Sequence, residues 1–315
     1  MSQRCLYCYR ELGPGEIDFH PACSRKMFGQ PVPPILPYRE EDLEKLAGEV
    51  LQAHTTLTGV QPKLSLHLGK GEESTGLKRF TIVGLWGGYI LKPPTPVYPQ
   101  LPEVEDLTMH LATISKIKVV PHSLIRLESG NLASITRRID RVKKGKLPME
   151  DMCQLTERLT EDKYRGSYEQ IAKAIQKYSA NPGLDVVNFF EVVLFSFLTG
   201  NADMHLKNFS LIRQPGPGMI LSAAYDLVAT TLVNPADDED LALTLNGKKK
   251  KIKKADFVAA FSAAKLDAKQ QENIFAKMQS SRSKWMEKIK ISFLNNDYKE
   301  KYKSLLNERF DRLMK

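Results

Sequence analysis

Strand-like patterns of apolar and polar residues dominate the sequence between 62 and 139. Over 62–68 three leucines alternate with polar residues, the spacing expected of a half-buried β-strand. Runs rich in β-forming residues predict further strands over 80–86, 89–92, 119–127 and 132–139. Gly87-Gly88 separates two of these runs and is typical of a hairpin turn. The N-terminal half is therefore expected to be rich in β-strands.

The second half follows helical spacing, with apolar residues three or four positions apart. Two helices are predicted within the first half, over 40–54 and 103–116. In the second half helices are predicted over 149–159, 167–175, 185–199 and 254–264, followed by a long, mostly helical polar tail over 268–315. A strand-rich half followed by a helix-rich half predicts an α+β protein with two lobes. The expected divisions are a Cys/His segment over 1–30, a β-rich lobe over 31–140 and a helical lobe over 141–315.

Composition and charge narrow the class of protein. The chain has 315 residues, 42% hydrophobic and 26% charged, with a net charge of +9. These values are typical of a soluble globular protein, and the positive charge is compatible with acidic partners such as nucleotides or with an ordinary basic surface. The most apolar stretch, 186–199, carries Glu191 and predicts a buried helix rather than a membrane span. With few cysteines and no leader visible, we expect a cytoplasmic protein.

The most informative string follows that apolar helix and reads NADMHLKN over 201–208. Asp203 and Asn208 are five residues apart, the spacing of a protein-kinase catalytic loop, in which the aspartate accepts a hydroxyl proton and the asparagine binds Mg²⁺. His205 or Lys207 could supply a cation for the phosphate oxygens. Asp226, downstream, is the candidate second carboxylate for the metal.

Upstream residues complete a possible phosphate site. Lys92 ends a predicted strand, as the ATP-binding lysine of kinases does, and Glu105 on the next helix could orient it. A hydroxyl-rich turn over 55–63 could cradle phosphate with its backbone N–H groups. Each feature alone is more often turn chemistry or a surface charge, but their order along the chain favours a phosphotransferase.

Several of these strings together resemble the HipA-type toxin kinases of bacterial toxin–antitoxin modules. The resemblance is carried by TGVQPK at 58–63, ILKP at 90–93, IDR at 139–141, NADMHLKNF at 201–209 and YD at 225–226. It implies a two-lobed fold distantly similar to lipid (phosphoinositide 3-kinase-like) and eukaryotic protein kinases. It also implies an enzyme that uses ATP and Mg²⁺ to phosphorylate protein serine or threonine residues.

The resemblance assigns roles to individual residues. Asp203 would be the catalytic base, Asn208 and Asp226 the Mg²⁺ ligands, and Lys92 a phosphate ligand. The adenine would lie beside a hinge formed by Arg137, Arg138 and Ile139, with Tyr225 nearby. The phosphates would lie beside the upstream turn, which consists of Thr58, Gly59, Val60, Gln61, Pro62 and Lys63. Known members phosphorylate themselves in that turn, which here offers Thr56 and Thr58.

The resemblance also implies partners. Some members phosphorylate aminoacyl-tRNA synthetases, and the compact HipT toxins work with a small separate subunit, HipS, and a DNA-binding antitoxin. The length of this chain favours the compact type, with DNA contacted indirectly through the antitoxin. Two alternatives remain open at this point: a small-molecule kinase on the same scaffold, and a non-enzymatic regulator associated with zinc and DNA.

Two further segments carry candidate chemistry. Cys5, Cys8, His20 and Cys23 form two ligand pairs whose residue types suit a closed tetrahedral zinc site, although cysteines are also common buried hydrophobic residues. The lysine-rich run 248–254 is either a solvated surface or a docking patch for tRNA, DNA or an acidic partner.

Overall fold

A computed structural model describes residues 4–52, 63–70, 78–83, 86–142, 145–213, 216 and 218–314. The chain forms two compact units. The first contains Met1–Asp106, Val120–Ile139 and Ile291–Phe293, and the second contains Leu107–Val119, Asp140–Lys290 and Leu294–Lys315.

The first unit is built around a five-stranded antiparallel sheet. In chain order its strands are β1 (Leu64–Lys70), β2 (Lys78–Val83), β3 (Tyr89–Lys92), β4 (His122–Arg126) and β5 (Leu132–Arg137). They are arranged in the order β2-β1-β3-β5-β4, so β3 is central and both its edges are paired. The register places Lys92 opposite Ser134.

Two helices, α1 (Pro21–Phe28) and α2 (Glu40–Gln52), belong to this unit, and α3 (Leu101–Ile114) begins in it and continues into the second unit. Aromatic rings join α1 to the sheet, because Phe28 lies 5.9 Å from Phe80 and 6.1 Å from Tyr89 between ring centroids. Such contacts bury large apolar areas and fix the position of the N-terminal segment on the strands.

The second unit is mainly helical. It contains the short strands β6 (Arg141–Val142), β7 (Gly145–Lys146), β8 (Met149–Asp151), β9 (Ser210–Arg213) and β10 (Met219–Leu221), paired antiparallel as β6-β7 and β10-β9-β8. Its further helices are α4 (Met152–Leu155), α5 (Tyr168–Tyr178), α6 (Pro182–Thr199), α7 (Thr230–Val233), α8 (Lys254–Ala263), α9 (Ala268–Lys290) and α10 (Asn296–Met314). Short 3₁₀ turns occupy Thr160–Asp162 and Leu206–Asn208.

Helix α6 forms the centre of the second unit. Its length and apolar composition would suffice to cross a membrane, but 72% of it is buried within the structure, as in the core helix of a globular domain. Aromatic side chains from other helices pack along it, including Phe261 at 5.0 Å from Phe190 and Trp285 at 5.4 Å from Phe195. The helix therefore gives the loop that follows it a rigid base.

The observed elements confirm the predicted α+β class and correct some predicted boundaries. The predicted helix over 149–159 is wrong: Met149–Asp151 pairs as β8 with β9, and only α4 remains helical. Asp151 ends the strand and caps α4 by accepting a hydrogen bond from the Gln154 N–H at 3.0 Å. The predicted helix over 268–315 is divided into α9 and α10.

The lysine-rich run lies beside carboxylates of its own unit. Lys248 pairs with Asp256 at 2.8 Å and Lys249 with Glu239 at 3.3 Å. Lys250 forms an ion pair with Asp238. Three of the lysines are thus partly neutralised within the fold, which favours the solvated-surface interpretation of this segment over a docking patch.

Glu103, in the first turn of α3, makes stability depend on pH. Burial and the nearby Asp106 carboxylate raise its pKa to about 7, above the value near 4.3 typical of an unfolded chain. The folded protein then binds more protons than the unfolded chain between these two pH values. Stability is present below the unfolded pKa and is lost as the pH rises to about 7.

We therefore expect the unfolding free energy of the wild-type protein, relative to Glu103→Gln, to fall by about 1–3 kcal/mol between about pH 4.5 and 7. Urea unfolding at several pH values measures this difference. The control is Glu41→Gln, which removes an exposed carboxylate on α2. A wild-type-minus-Glu103→Gln difference that stays constant with pH would contradict this account.

Candidate functional site

The candidate catalytic loop begins where α6 ends. Gly200 caps the helix in the left-handed region, with φ of 70°. A β-carbon at this position would lie 2.7 Å from the Leu305 side chain. Glycine therefore satisfies both the backbone conformation and the close packing that turn the chain into the loop.

Hydrogen bonds hold this loop in place. The N–H of Ala202 donates to the Thr230 hydroxyl at 2.8 Å, and the N–H of Thr231 donates to the Gly200 carbonyl at 3.0 Å. The buried Asn201 side chain accepts from the N–H of Asp203 at 3.2 Å. The backbone that carries Asp203 is therefore ordered by local contacts.

The structure brings Asp203 and Asn208 together. The Asn208 amide nitrogen donates to the Asp203 carbonyl at 3.2 Å, which orients the amide and leaves its Oδ1 as the candidate metal ligand. Asn208 is buried and Asp203 is half-buried. The arrangement places a carboxylate and an amide oxygen on one rigid turn, an oxygen donor set that suits Mg²⁺.

Tyr164 is a site residue that sequence reasoning missed. Its hydroxyl donates to Asp203 Oδ1 at 2.6 Å, and its ring lies edge-on to the His205 ring at 4.9 Å. Burial and the Asp203 charge raise the pKa of Tyr164, so the phenol stays protonated and continues to donate. Tyr164 is 43% exposed and lies far from Asp203 in the sequence, so no local pattern could have revealed it.

Lys207 lies in an ion pair. Its Nζ is 2.8 Å from Asp151 Oδ2, so the predicted phosphate cation has a carboxylate partner in this structure. The carbonyl of Lys207 accepts a hydrogen bond from the Tyr225 hydroxyl at 3.0 Å. Through this bond the residue before Asp226 is tied to the catalytic loop.

Asp226 has a left-handed backbone, with φ of 56°. Aspartate tolerates this region better than most residues, yet the conformation still has an energetic cost of about 1 kcal/mol or more. Asp226 is half-buried. Such backbone conformations occur often at ligand sites, and the carboxylate is a second oxygen donor suited to Mg²⁺.

The first unit contains a buried ion pair between Lys92 and Glu105. Lys92 and Glu105 are 5% and 2% exposed, and the Lys92 ammonium contacts Glu105 Oε1 directly. The Ser134 hydroxyl donates to the other carboxylate oxygen at 2.9 Å. The proposed strand lysine and helix glutamate are thus partners, as the sequence predicted.

The other predicted nucleotide contacts are distributed around the same sheet or lie outside the described residues. The N–H of Arg138 donates to the Gly88 carbonyl at 2.9 Å, and the Arg137 guanidinium to the Lys26 carbonyl at 3.3 Å. Ile139 ends this segment of the first unit, and exposed Lys63 precedes β1. Outside the described residues lie Thr56, Thr58, Gly59, Val60, Gln61 and Pro62.

The N-terminal Cys/His residues also come together. The ligand atoms of Cys5, Cys8, His20 and Cys23 lie within 4.8 Å of one another. Cys153 belongs to the second unit, where it is buried, and is not a member of this cluster.

Removing one member of the Lys92–Glu105 pair should be costly, because the other charge would remain buried without compensation. Lys92→Met and Glu105→Leu are each expected to destabilise the first unit by about 3–5 kcal/mol, and the double variant by less than their sum. Urea unfolding followed by hydrogen exchange of β3 and α3 measures these values. Additive costs would contradict the assignment of a coupled pair.

Comparison with protein families places these features in context. A family model described as the HipA-like C-terminal domain matches residues 55–285. Two similar proteins are "Putative kinase Y4dM" of Sinorhizobium fredii, 30% identical over 69% of this chain and 53% of that protein, and "Putative kinase" of Haemophilus influenzae, 31% identical over 63% and 59%. The chain thus spans little more than half the length of these relatives.

Solved structures share the fold. HipA of Shewanella oneidensis, in a complex with HipB and operator DNA, has a TM-score of 0.68 at 20% identity, over 97% of this chain and 75% of that one. The proinflammatory kinase CtkA of Helicobacter pylori has a TM-score of 0.53 at 15% identity, over 72% and 84%. The predicted kinase-like α+β fold is confirmed. The family match covers more than half of the chain, and the protein belongs to the HipA-like C-terminal domain family.

Proposed function

We propose that this protein is an ATP- and Mg²⁺-dependent serine/threonine kinase and the toxin of a HipA-type toxin–antitoxin module. The ordered loop that holds Asp203 and Asn208 supports this function most directly. In this loop the Asn208 side-chain amide donates to the Asp203 backbone carbonyl at 3.2 Å. Kinases place their catalytic base and a metal-binding asparagine on one loop in this way. Two similar proteins are named as putative kinases, which adds support from homology.

The proposed reaction needs little covalent chemistry from the protein. The oxygen of a protein hydroxyl bonds to the γ-phosphorus of ATP while the bond from that phosphorus to the β,γ-bridging oxygen breaks, and ADP leaves. Asp203 accepts the hydroxyl proton. Tyr164 occupies one Asp203 oxygen through its 2.6 Å hydrogen bond, so the second oxygen faces the substrate or Tyr164 moves when the substrate binds.

Oxygen donors on the second unit fit a hard cation. Asn208 Oδ1 and the Asp226 carboxylate would hold Mg²⁺, which neutralises phosphate charge when it is bound. The hydrogen bond from the Asn208 amide nitrogen to the loop backbone keeps the oxygen, rather than the nitrogen, available to the metal. Lys207 adds positive charge nearby and would exchange Asp151 for a phosphate oxygen, and His205 would be a further phosphate contact.

Lys92 would bind the ATP phosphates. Glu105 contacts its ammonium, and the Ser134 hydroxyl donates to the other Glu105 oxygen, so the ammonium has a defined position. This lowers the entropy cost of forming the phosphate contact. The hinge residues Arg137, Arg138 and Ile139, with Tyr225, would surround the adenine. The turn from Thr58 to Lys63 would contact the phosphates through backbone N–H groups.

Regulation would come from autophosphorylation at Thr56 or Thr58. A phosphate adds about −1.5 to −2 charges at neutral pH. Placed in the turn that binds ATP phosphates, this charge would repel the nucleotide and displace the turn. The kinase would then switch itself off as phosphate accumulates.

The proposed setting is the bacterial cytoplasm. A HipA structure with a TM-score of 0.68 is in a complex with HipB and operator DNA, which supports a DNA-binding antitoxin as partner and an indirect contact with DNA. A small HipS-like subunit would complete the module. The proposed target is a translation component such as an aminoacyl-tRNA synthetase.

Intact-mass and peptide mass spectrometry after incubation with Mg²⁺-ATP tests the kinase. We expect phosphate on Thr56 or Thr58 in the wild-type protein. Asp203→Asn should lower the rate by about 10²–10⁴-fold, the usual contribution of a general base, while retaining ATP binding in a thermal-shift assay.

Asp226→Asn should raise the Mg²⁺ concentration needed for half-maximal activity.

The matched control is Asp297→Asn, which removes an exposed carboxylate on α10 and should leave the rate unchanged. The Thr56→Ala/Thr58→Ala variant should lose autophosphorylation yet still phosphorylate an added protein target. Phosphate transfer that persists in Asp203→Asn, or ATP consumption with a small-molecule acceptor only, would overturn the protein-kinase assignment.

A further inference from the structure

We propose that Cys5, Cys8, His20 and Cys23 bind one structural Zn²⁺ ion. Their ligand atoms all lie within 4.8 Å of one another. The Cys8 and Cys23 sulfurs are 3.5 and 3.7 Å from the same nitrogen, Nδ1 of His20. Zn–S bonds of about 2.3 Å and a Zn–N bond of about 2.0–2.1 Å, at tetrahedral angles, place sulfur and nitrogen about 3.5–3.6 Å apart.

The second ring nitrogen of His20 supports the same assignment. Nε2 lies 2.9 Å from the Glu11 carbonyl, an acceptor, so Nε2 carries the proton and Nδ1 presents its lone pair to the cysteines. Metal-bound histidines almost always donate their other ring N–H to a carbonyl or carboxylate in this way. The ring is therefore oriented and in the tautomer that a metal requires.

The chemistry of the four ligands selects the metal. Three thiolates and one imidazole form a Cys₃His set, which is characteristic of structural zinc and leaves no open coordination position. Cys5 is fully buried and the other three residues are half-buried, so the site is closed rather than catalytic. The ion would organise the N-terminal segment.

That segment is bonded to the sheet of its own unit. The Leu6 carbonyl, between the first two cysteines, accepts from the Leu124 N–H at 3.3 Å and from the Ser123 hydroxyl at 3.2 Å. Tyr9, directly after Cys8, donates its buried hydroxyl to Asp106 Oδ2 at 2.6 Å. Zinc would thus fix the contacts of the segment with β4 and with the start of α3.

Zinc binding would also affect the buried ion pair between Lys92 and Glu105. Asp106 also bonds the His122 ring at 2.6 Å and is the neighbour of Glu105, which holds Lys92. Loss of zinc should loosen Tyr9 and then this turn of α3. The zinc site would therefore stabilise the part of the first unit that positions Lys92, whatever ligand Lys92 binds.

Metal analysis of the full-length protein, purified under reducing conditions from zinc-supplemented medium, tests the site. We expect one zinc per chain in the wild type and in Cys153→Ser, which removes a buried cysteine outside the cluster. Cys8→Ser should lose the ion, whereas His20→Cys should retain it, because Cys₄ sites also bind zinc. Titration of the zinc-stripped wild type with Co²⁺ should give thiolate-to-cobalt absorption bands, and this readout needs no variant to fold.

Hydrogen exchange tests the coupling. Chelation of zinc should increase amide exchange in residues 4–28, in β4 and in α3 around Asp106, and re-addition of zinc should reverse it. A wild-type protein without zinc and without cobalt–thiolate bands would overturn the site, as would equal zinc in Cys8→Ser and Cys153→Ser. These measurements need no nucleotide, so their failure is distinguishable from failure of the kinase proposal.

Discussion

The candidate catalytic loop depends on the way α6 ends. The helix is anchored by aromatic packing in the middle of the second unit, so its last residue has little freedom to move. Gly200 then turns the chain through a left-handed conformation against Leu305. Asp203 follows only three residues later, so the buried helix and the hydrogen bonds of Asn201 and Ala202 together determine where the loop places its carboxylate.

Buried charges are the second constraint on the fold. Lys92 and Glu105 are removed from water together, and so are Asp240 and Arg309 in the second unit. A buried ion pair adds little net stability, but its geometry is demanding because each charge needs its partner. Any other position of Lys92 would leave a buried charge without its partner, so the ammonium is held beside Glu105. A ligand that supplied a second anionic group would find this cation already oriented.

The sequence predicted those parts that depend on local pattern. Strand Tyr89–Lys92 has the predicted limits, because a glycine pair precedes it and a proline pair follows it. Asp203 and Asn208 lie on one loop because they are only five positions apart in the sequence. Pairings between distant segments were not predictable in this way: β8 forms only by pairing with β9, far along the chain. Tyr164 reaches Asp203, and Asp151 reaches Lys207, through tertiary folding alone.

A crystal structure with Mg²⁺ and a non-hydrolysable ATP analogue would test the proposal that Lys92 and the loop holding Asp203 and Asn208 bind the nucleotide. We expect Mg²⁺ about 2.0–2.1 Å from Asn208 Oδ1 and from an Asp226 oxygen, with Lys92 Nζ within about 3 Å of a phosphate oxygen. A nucleotide bound elsewhere, or a metal held without Asn208 and Asp226, would contradict it.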